Sequence, residues 1–223
     1  MILIAHAGTE NRCPQRGLLT HLCNAHLVWL DWSAINPKIP NRTVPRLFRA
    51  SQQFVEHVRK KMKCGPTFDI VHTGHSLGDA IGAYATARDW AMGRCDVVSL
   101  GFDGPGITEV LSIEFPHCDP KVLSQGVATH QLLPNIVNTQ GIHSGKVMQL
   151  PMGNKLKTYV KSKPPALQHF TLLESHRISH FAESASEHGV DLGSTTGLSR
   201  SQVLAKSFSF FVNIRQKSGK SLI

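Results

Sequence analysis

The chain has 223 residues, 41% of them hydrophobic and 17% charged, a composition typical of one globular domain with a sizeable core. No apolar run approaches the roughly 20 residues of a membrane-spanning helix. The first apolar run is also too short for a signal-peptide core, so we expect a cytoplasmic protein. The formal charge of +9 favours anionic surfaces, but only 7% of the residues are aromatic and no base-stacking motif occurs, so nucleic-acid binding is not expected.

Short apolar strands and amphipathic helices alternate along the chain. The predicted strands are Met1 to Ala7, Phe68 to Thr73, Asp96 to Phe102 and one within Val127 to Val137, and the predicted helices are Pro45 to Lys63, a run from Leu77 to Gly93, and Leu172 to His188. Such alternation predicts a mostly parallel sheet with helices on both faces. We expect one domain over residues 1–188, followed by a Ser/Gly-rich extension over residues 189–223.

The central motif is Gly74-His75-Ser76-Leu77-Gly78, which fits the G-x-S-x-G pattern of a nucleophile elbow. An apolar strand precedes it and a helix of small apolar residues follows. The two glycines are required because a side chain at either position would collide with neighbouring backbone. Ser76 is therefore the candidate nucleophile, and the Leu77 N–H is a candidate oxyanion donor. The alternative is an ordinary glycine-rich turn between a strand and a helix.

A nucleophilic serine needs a histidine base and an acid that orients it. Asp103 ends the strand after the elbow strand, so its carboxylate should lie at the same sheet edge as Ser76. His176 follows in a loop that leads into a helix, and is the candidate base. Each has a simpler alternative: Asp103 as a turn residue before Gly-Pro-Gly, and His176 as a surface histidine. We expect His75 to point away from the serine.

The stretch Thr73-Gly74-His75-Ser76-Leu77-Gly78-Asp79-Ala80 resembles the T-G-H-S-L-G-G-A motif of the class 3, or fungal-type, lipases, a family of α/β hydrolases. Asp79 replaces a glycine of that motif. The segment Ala5-His6-Ala7-Gly8-Thr9 is similar to the family's R-G-T oxyanion loop, with Ala7 at the arginine position. The resemblance implies that the Thr9 N–H and hydroxyl would bind the oxyanion.

Two further stretches bear on the acid and the base. Leu100 to Gly106 is similar to the G-L-D-P stretch of pancreatic-type lipases, which implies that Asp103 is the triad acid. Leu133 to Asn138 resembles the N-D-x-V-P segment that carries the acid in class 3 lipases, and Asn135 stands at the Asp position. The family's final H-x-x-x-I/L segment resembles His176 to Phe181, which supports His176.

These observations predict a serine hydrolase of lipase or esterase type that cleaves lipid or small carboxylic esters, with no cofactor and no metal ion. Because the chain starts on a strand, the fold would lack the first strands of an α/β hydrolase.

The main alternative is a catalytically impaired lipase-like binding or interaction module, suggested by Ala7 and Asn135. A third possibility is a basic surface-binding protein. Four lysines in a loop-like insert, Lys155, Lys157, Lys161 and Lys163, would then attract an anionic membrane surface.

Overall fold

Five parallel strands form the centre of the fold, and each pairs with the next one along the chain. In order they are β1 (Ile2–His6), β2 (Ile70–His75), β3 (Val97–Phe102), β4 (Val127–Gln131) and β5 (Lys146–Gln149). The structure is a computed structural model that describes residues 2–8, 46–62, 70–95, 97–135, 137–164 and 176–188. The predicted extension over residues 189–223 lies outside these ranges.

The described helices are α1 (Arg46–Lys61), α2 (Leu77–Ala91), α3 (Thr108–Glu114), α4 (Pro120–Leu123), α5 (Asn154–Lys161) and α6 (Ile178–Glu187). None of them combines the length and the apolar character that a membrane span requires. The strands and helices predicted within the described ranges are confirmed, while α3, α4 and β5 were not predicted. The result is an α/β fold built on a parallel sheet.

The lysine-rich segment after residue 152 is a helix, and the prediction of a loop there was wrong. Leu156 of this helix is fully buried. The first N–H groups of α5 are bound by carboxylates of α6, since the Asn154 N–H donates to Glu187 and the Lys155 N–H donates to Glu183 over 3.0 Å. Unpaired N–H groups at a helix start need such acceptors. The acceptors come from a distant part of the chain, so the local sequence pattern does not reveal them.

Helices pack on both faces of the sheet, as predicted. Side chains alternate between faces along a strand. Ile70 of β2 and Val97 of β3 lie on one face and pack against Val55 of α1 and Ala85 of α2. Phe102, five residues after Val97, lies on the other face. Its ring packs edge-on against Phe181 of α6, with the ring centroids 5.4 Å apart.

A pair of histidines lies between the sheet and the helices. His72 of β2 is fully buried, and its Nδ1 lies 3.0 Å from the Nε2 of His6 on β1. The other ring nitrogen of His6 is 3.2 Å from the hydroxyl oxygen of Ser51 on α1. Burial lowers the pKa of His6 to about 4 and that of His72 to about 3. Both rings are therefore neutral at pH 7 and share one hydrogen bond in the core.

This pair should make the fold sensitive to acid. Below about pH 6.5 the histidines of the unfolded chain gain protons, while His6 and His72 of the folded chain stay neutral until about pH 4, so the free energy of unfolding falls on acidification. His72→Leu removes one of the two groups and should weaken this pH dependence. The measurement is urea unfolding at several values between about pH 7.5 and pH 4.5. His117→Gln, on the surface, is the control, and an unchanged pH slope in His72→Leu would contradict the prediction.

Candidate active site

Ser76 occupies a sharp turn at the edge of the sheet. Strand β2 ends at His75 and helix α2 begins at Leu77, so Ser76 is the one residue between them. Its backbone has φ 59° and ψ −127°. A non-glycine residue in this conformation stores about 1–3 kcal/mol of strain, which the surrounding structure must hold. The strand, turn and helix predicted around Ser76 are therefore confirmed.

The glycines of the elbow allow close backbone contacts. A Cβ at Gly74 would lie 2.3 Å from the carbonyl carbon of Gly78, and a Cβ at Gly78 would lie 2.2 Å from the carbonyl oxygen of His6. Gly8 also lies against the elbow, since its Cβ would be 2.5 Å from the carbonyl oxygen of His75. The predicted need for glycine at both elbow positions is confirmed. The segment after β1 thus reaches Ser76, but Thr9, the predicted oxyanion residue, lies outside the described residues.

Asp103 directly follows β3 and lies beside the elbow. The Ser76 N–H donates to the carbonyl oxygen of Phe102 over 2.9 Å, which ties the two strand ends together. Asp103 has φ 58° and is fully buried. Within the described ranges, Ser76 and Asp103 are the only non-glycine residues with positive φ. Both strained positions thus fall on predicted site residues.

His176 lies just before helix α6, and its Nδ1 is 2.8 Å from the Oδ2 of Asp103. The acid and the base predicted from the sequence are therefore brought together, 73 residues apart along the chain. The side chain of His176 is 15% exposed, so the ring reaches the surface of the site. In the described structure no hydrogen bond joins the Ser76 hydroxyl to the His176 ring. Such bonds are often long before substrate binds.

His75 contacts His176, the candidate base, a contact that the sequence did not predict. Its Nε2 donates to the backbone carbonyl oxygen of His176 over 2.6 Å, and the two ring centroids are 4.6 Å apart. Burial lowers the pKa of His75, and the neighbouring His176 adds to this. A neutral His75 therefore supports the turn that carries His176. The G-x-S-x-G pattern predicts the sharp turn at Ser76, but it does not specify where the side chain of the preceding residue lies.

Two asparagines complete the surroundings of Asp103. The Nδ2 groups of Asn135 and Asn138 each lie 2.5 Å from one carboxylate oxygen of Asp103. The sequence pointed to Asn135 only through its place in a lipase-like segment, and Asn138 was missed. Two asparagines three residues apart, shortly after a strand, are the signal that could have found them.

The candidate acid and base also belong to a group with metal-ligand geometry. Potential ligand atoms of His75, Asp103 and His176 all lie within 4.8 Å of one another. One nitrogen of each imidazole already has a partner, because His176 Nδ1 is bound to Asp103 and His75 Nε2 is bound to a carbonyl oxygen. These hydrogen bonds are compatible with acid–base chemistry at the remaining ring nitrogens. A second group of possible metal ligands in the sequence, His21, Cys23 and His26, lies outside the described residues.

A second carboxyl group lies behind the elbow. Asp79 is buried on the first turn of α2, where its Oδ2 accepts the Gly104 N–H over 3.0 Å and its Oδ1 is 3.4 Å from the Thr129 hydroxyl. A Cβ at Gly101 would lie 1.6 Å from the Asp79 carboxyl, so glycine leaves the space that Asp79 fills. Burial raises the pKa of Asp79 to about 7, and the charge of Asp103 adds to the shift.

Asp79 should lower the stability of the fold as the pH rises. Between about pH 4 and pH 7 the unfolded chain loses the Asp79 proton while the folded chain retains it, so the free energy of unfolding decreases. Asp79→Asn keeps an acceptor for Gly104 and cannot ionise. Its stability relative to the wild type should increase over this range by an amount on the order of a few kcal/mol. Urea unfolding across the range measures this, with Glu109→Gln as the control for loss of one carboxylate. A difference between Asp79→Asn and wild type that does not change with pH would refute the idea.

No family model, curated protein or solved structure matches this chain. The chemistry of the site therefore follows from its own residues and their geometry.

Proposed function

We propose that this protein is a serine hydrolase of lipase or esterase type that cleaves carboxylic esters through an acyl-enzyme on Ser76. One observation carries the proposal: a serine in a strained turn between a strand and a helix lies at the same sheet edge as a buried aspartate bonded to a histidine. A strained serine alone, or a buried Asp–His pair alone, would be compatible with a purely structural role. The conjunction is what acyl transfer by a serine requires.

The first half of the reaction forms the acyl-enzyme. With its Nδ1 bound to Asp103, His176 has Nε2 left to accept the proton of the Ser76 hydroxyl. The serine oxygen then attacks the ester carbonyl carbon, and the carbonyl oxygen becomes an oxyanion. The N–H of Leu77, at the positive end of α2, and the N–H and hydroxyl of Thr9 would stabilise that charge. The proton on Nε2 passes to the leaving alcohol as the carbon–oxygen bond breaks.

The second half of the reaction restores the enzyme. A water molecule attacks the acyl carbon while His176 Nε2 takes a proton from it. The second tetrahedral intermediate collapses, the carboxylic acid leaves, and the proton returns to the Ser76 oxygen. Asp103 stays ionised throughout and stabilises the imidazolium form of His176. No metal ion or cofactor takes part in these steps.

Lipid esters are the proposed substrates because of the resemblance to class 3 lipases. The six residues from Thr73 to Gly78 agree with the family's elbow motif, in which only Asp79 departs, and Ala7 departs from the family's oxyanion loop. Helix α5 adds basic charge to the surface, with Lys155 and Lys161 exposed. Attraction of the protein to an anionic membrane stays a prediction, which sedimentation with anionic vesicles at low and high salt would test.

Ser76→Ala should abolish ester hydrolysis without unfolding the protein, because only the nucleophilic oxygen is removed. The measurement is covalent labelling by a fluorophosphonate probe, together with hydrolysis of nitrophenyl esters of increasing acyl length. The wild type should be labelled, and Ser76→Ala should not. Ser112→Ala, on the exposed face of α3, is the matched control and should be labelled like the wild type. A folded wild-type protein that takes no label would favour the alternative of an impaired binding module.

Asp103→Asn should lower kcat by as much as about 10⁴-fold, since the amide cannot hold His176 in the tautomer that accepts the serine proton. Asn has the volume of Asp, but its NH₂ group would face the NH₂ group of Asn135 or Asn138, so we expect a folded variant of lower stability. Steady-state hydrolysis of a soluble ester measures the loss, and thermal unfolding checks the fold. Full activity in Asp103→Asn would mean that another residue orients His176.

A further inference from the structure

The loop residues 133–135 and 137–139 bind both oxygens of the Asp103 carboxylate. Asn135 Nδ2 lies 2.5 Å from Oδ2, and Asn138 Nδ2 lies 2.5 Å from Oδ1. Both asparagines are almost completely buried, with 1% and 3% of their surface exposed, and Asp103 has none exposed. A buried carboxylate is expensive unless its oxygens are hydrogen-bonded. The two amides meet this requirement from one loop.

The orientation of both amides is fixed by the backbone of the same loop. The side-chain oxygen of Asn135 accepts the N–H groups of Val137 and Asn138 over 2.9 and 3.0 Å. The side-chain oxygen of Asn138 accepts the Asn135 N–H over 2.8 Å. If either amide were rotated by 180°, its NH₂ group would face these N–H donors. The NH₂ ends must therefore point at Asp103.

This orientation determines the tautomer of His176. Because both asparagines donate, Asp103 accepts through both of its oxygens, as an ionised carboxylate does. His176 Nδ1 lies 2.8 Å from the Oδ2 that also accepts from Asn135, so when Asp103 is ionised Nδ1 carries the shared proton and donates it. A neutral imidazole with its proton on Nδ1 has a free electron pair on Nε2. The base form of His176 thus follows from two asparagines that do not touch it through a hydrogen bond.

We propose that Asn135 and Asn138 are positioning residues that hold the Asp103 carboxylate in place and thereby keep His176 in the tautomer with a basic Nε2. The inference rests on the proposed function of Ser76, Asp103 and His176. If the asparagines had a purely structural role, replacing them would leave kcat and its pH profile unchanged in a folded variant. The residues that follow this loop are joined to the segment after Asp103 by backbone hydrogen bonds, from the Gly106 N–H to the Gln140 carbonyl oxygen and from the Thr108 N–H to that of Ile142.

Isosteric changes separate the two roles. Asn135→Asp and Asn138→Asp keep the side-chain oxygen that accepts backbone N–H groups, so those loop hydrogen bonds are retained. Each change also removes the NH₂ group that donates to the Leu133 carbonyl oxygen, over 3.4 Å from Asn135 and 2.7 Å from Asn138. Each change replaces an NH₂ donor by a second carboxylate oxygen facing Asp103. Two carboxylates this close share one proton at low pH and repel each other once that proton is lost. Thr139→Val is the matched control, because it removes a hydrogen bond of the same loop, from the Thr139 hydroxyl to the Asn135 carbonyl oxygen, without contact to Asp103.

In Asn135→Asp and Asn138→Asp we expect kcat to fall by about 10²-fold or more, since a small displacement of the acid misplaces the base. KM should change little, and the loss should grow with pH in the range where the wild-type rate is level. Thr139→Val should stay within about two-fold of the wild type and show no new pH dependence. Wild-type kcat and an unchanged pH profile in both Asp variants would overturn the proposal.

A second readout does not depend on activity. The Nδ1–H of His176, bonded to a buried carboxylate, should give a downfield proton resonance that is absent in His176→Gln. We expect this resonance in the wild type and in Thr139→Val, and its loss or displacement in both Asp variants. An unchanged resonance in those variants would count against the proposal, as would its absence from the wild type. A wild-type protein that shows the resonance but hydrolyses no ester would disprove the proposed function while supporting the role of the asparagines.

Discussion

A fully enclosed carboxylate at the end of a strand must receive hydrogen bonds, and the arrangement of the whole site depends on how Asp103 does so. Leaving such a charge uncompensated would cost several kcal/mol. Its three donors come from two different parts of the chain, namely Asn135 and Asn138 in one loop and His176 before α6. The carboxylate therefore joins strand β3, the loop after β4 and the turn that carries the base. The position of His176 is therefore set by its hydrogen bond to the Asp103 carboxylate.

Strain at two neighbouring positions is held by the sheet. Strands β2 and β3 pair in parallel with His75 opposite Phe102, so the next residues, Ser76 and Asp103, leave the sheet side by side. Both have positive φ. The Asp103 N–H donates to the carbonyl oxygen of His130 on β4 over 2.8 Å, so three adjacent strands fix the two turns. A conformation that a short peptide would avoid becomes stable because several pairings define it together.

The elbow and the position of Asp103 beside it could be predicted because each depends on a local or topological rule. Glycines flanking Ser76 indicate a close backbone approach, and parallel strands bring their carboxyl ends, hence Ser76 and Asp103, to one edge. His176 could be placed only by order along the chain and a family resemblance, since thirteen histidines offer many choices. The parts that were missed depend on contacts between distant residues. The Asn138 side chain is oriented by the backbone N–H of Asn135, which donates to its side-chain oxygen. No recognisable sequence pattern encodes this geometry.

The two buried carboxyl groups near the elbow differ in the donors that surround them, and this decides which one carries the charge. Asp79 looks in the sequence like an ordinary acidic residue in the first turn of a helix, and only the space left by Gly101 and Gly104 accounts for its burial. Burial raises the pKa of Asp79 to about 7, because one backbone N–H and a hydroxyl 3.4 Å away offset only part of the cost of burying the charged form. Asp103 receives two amide NH₂ groups and the His176 ring, so the negative charge is held there. Environments that separate two carboxyl groups in this way assign them different roles. While Asp79 keeps its proton, Asp103 has no second negative charge beside it, and the Asp103 carboxylate faces His176.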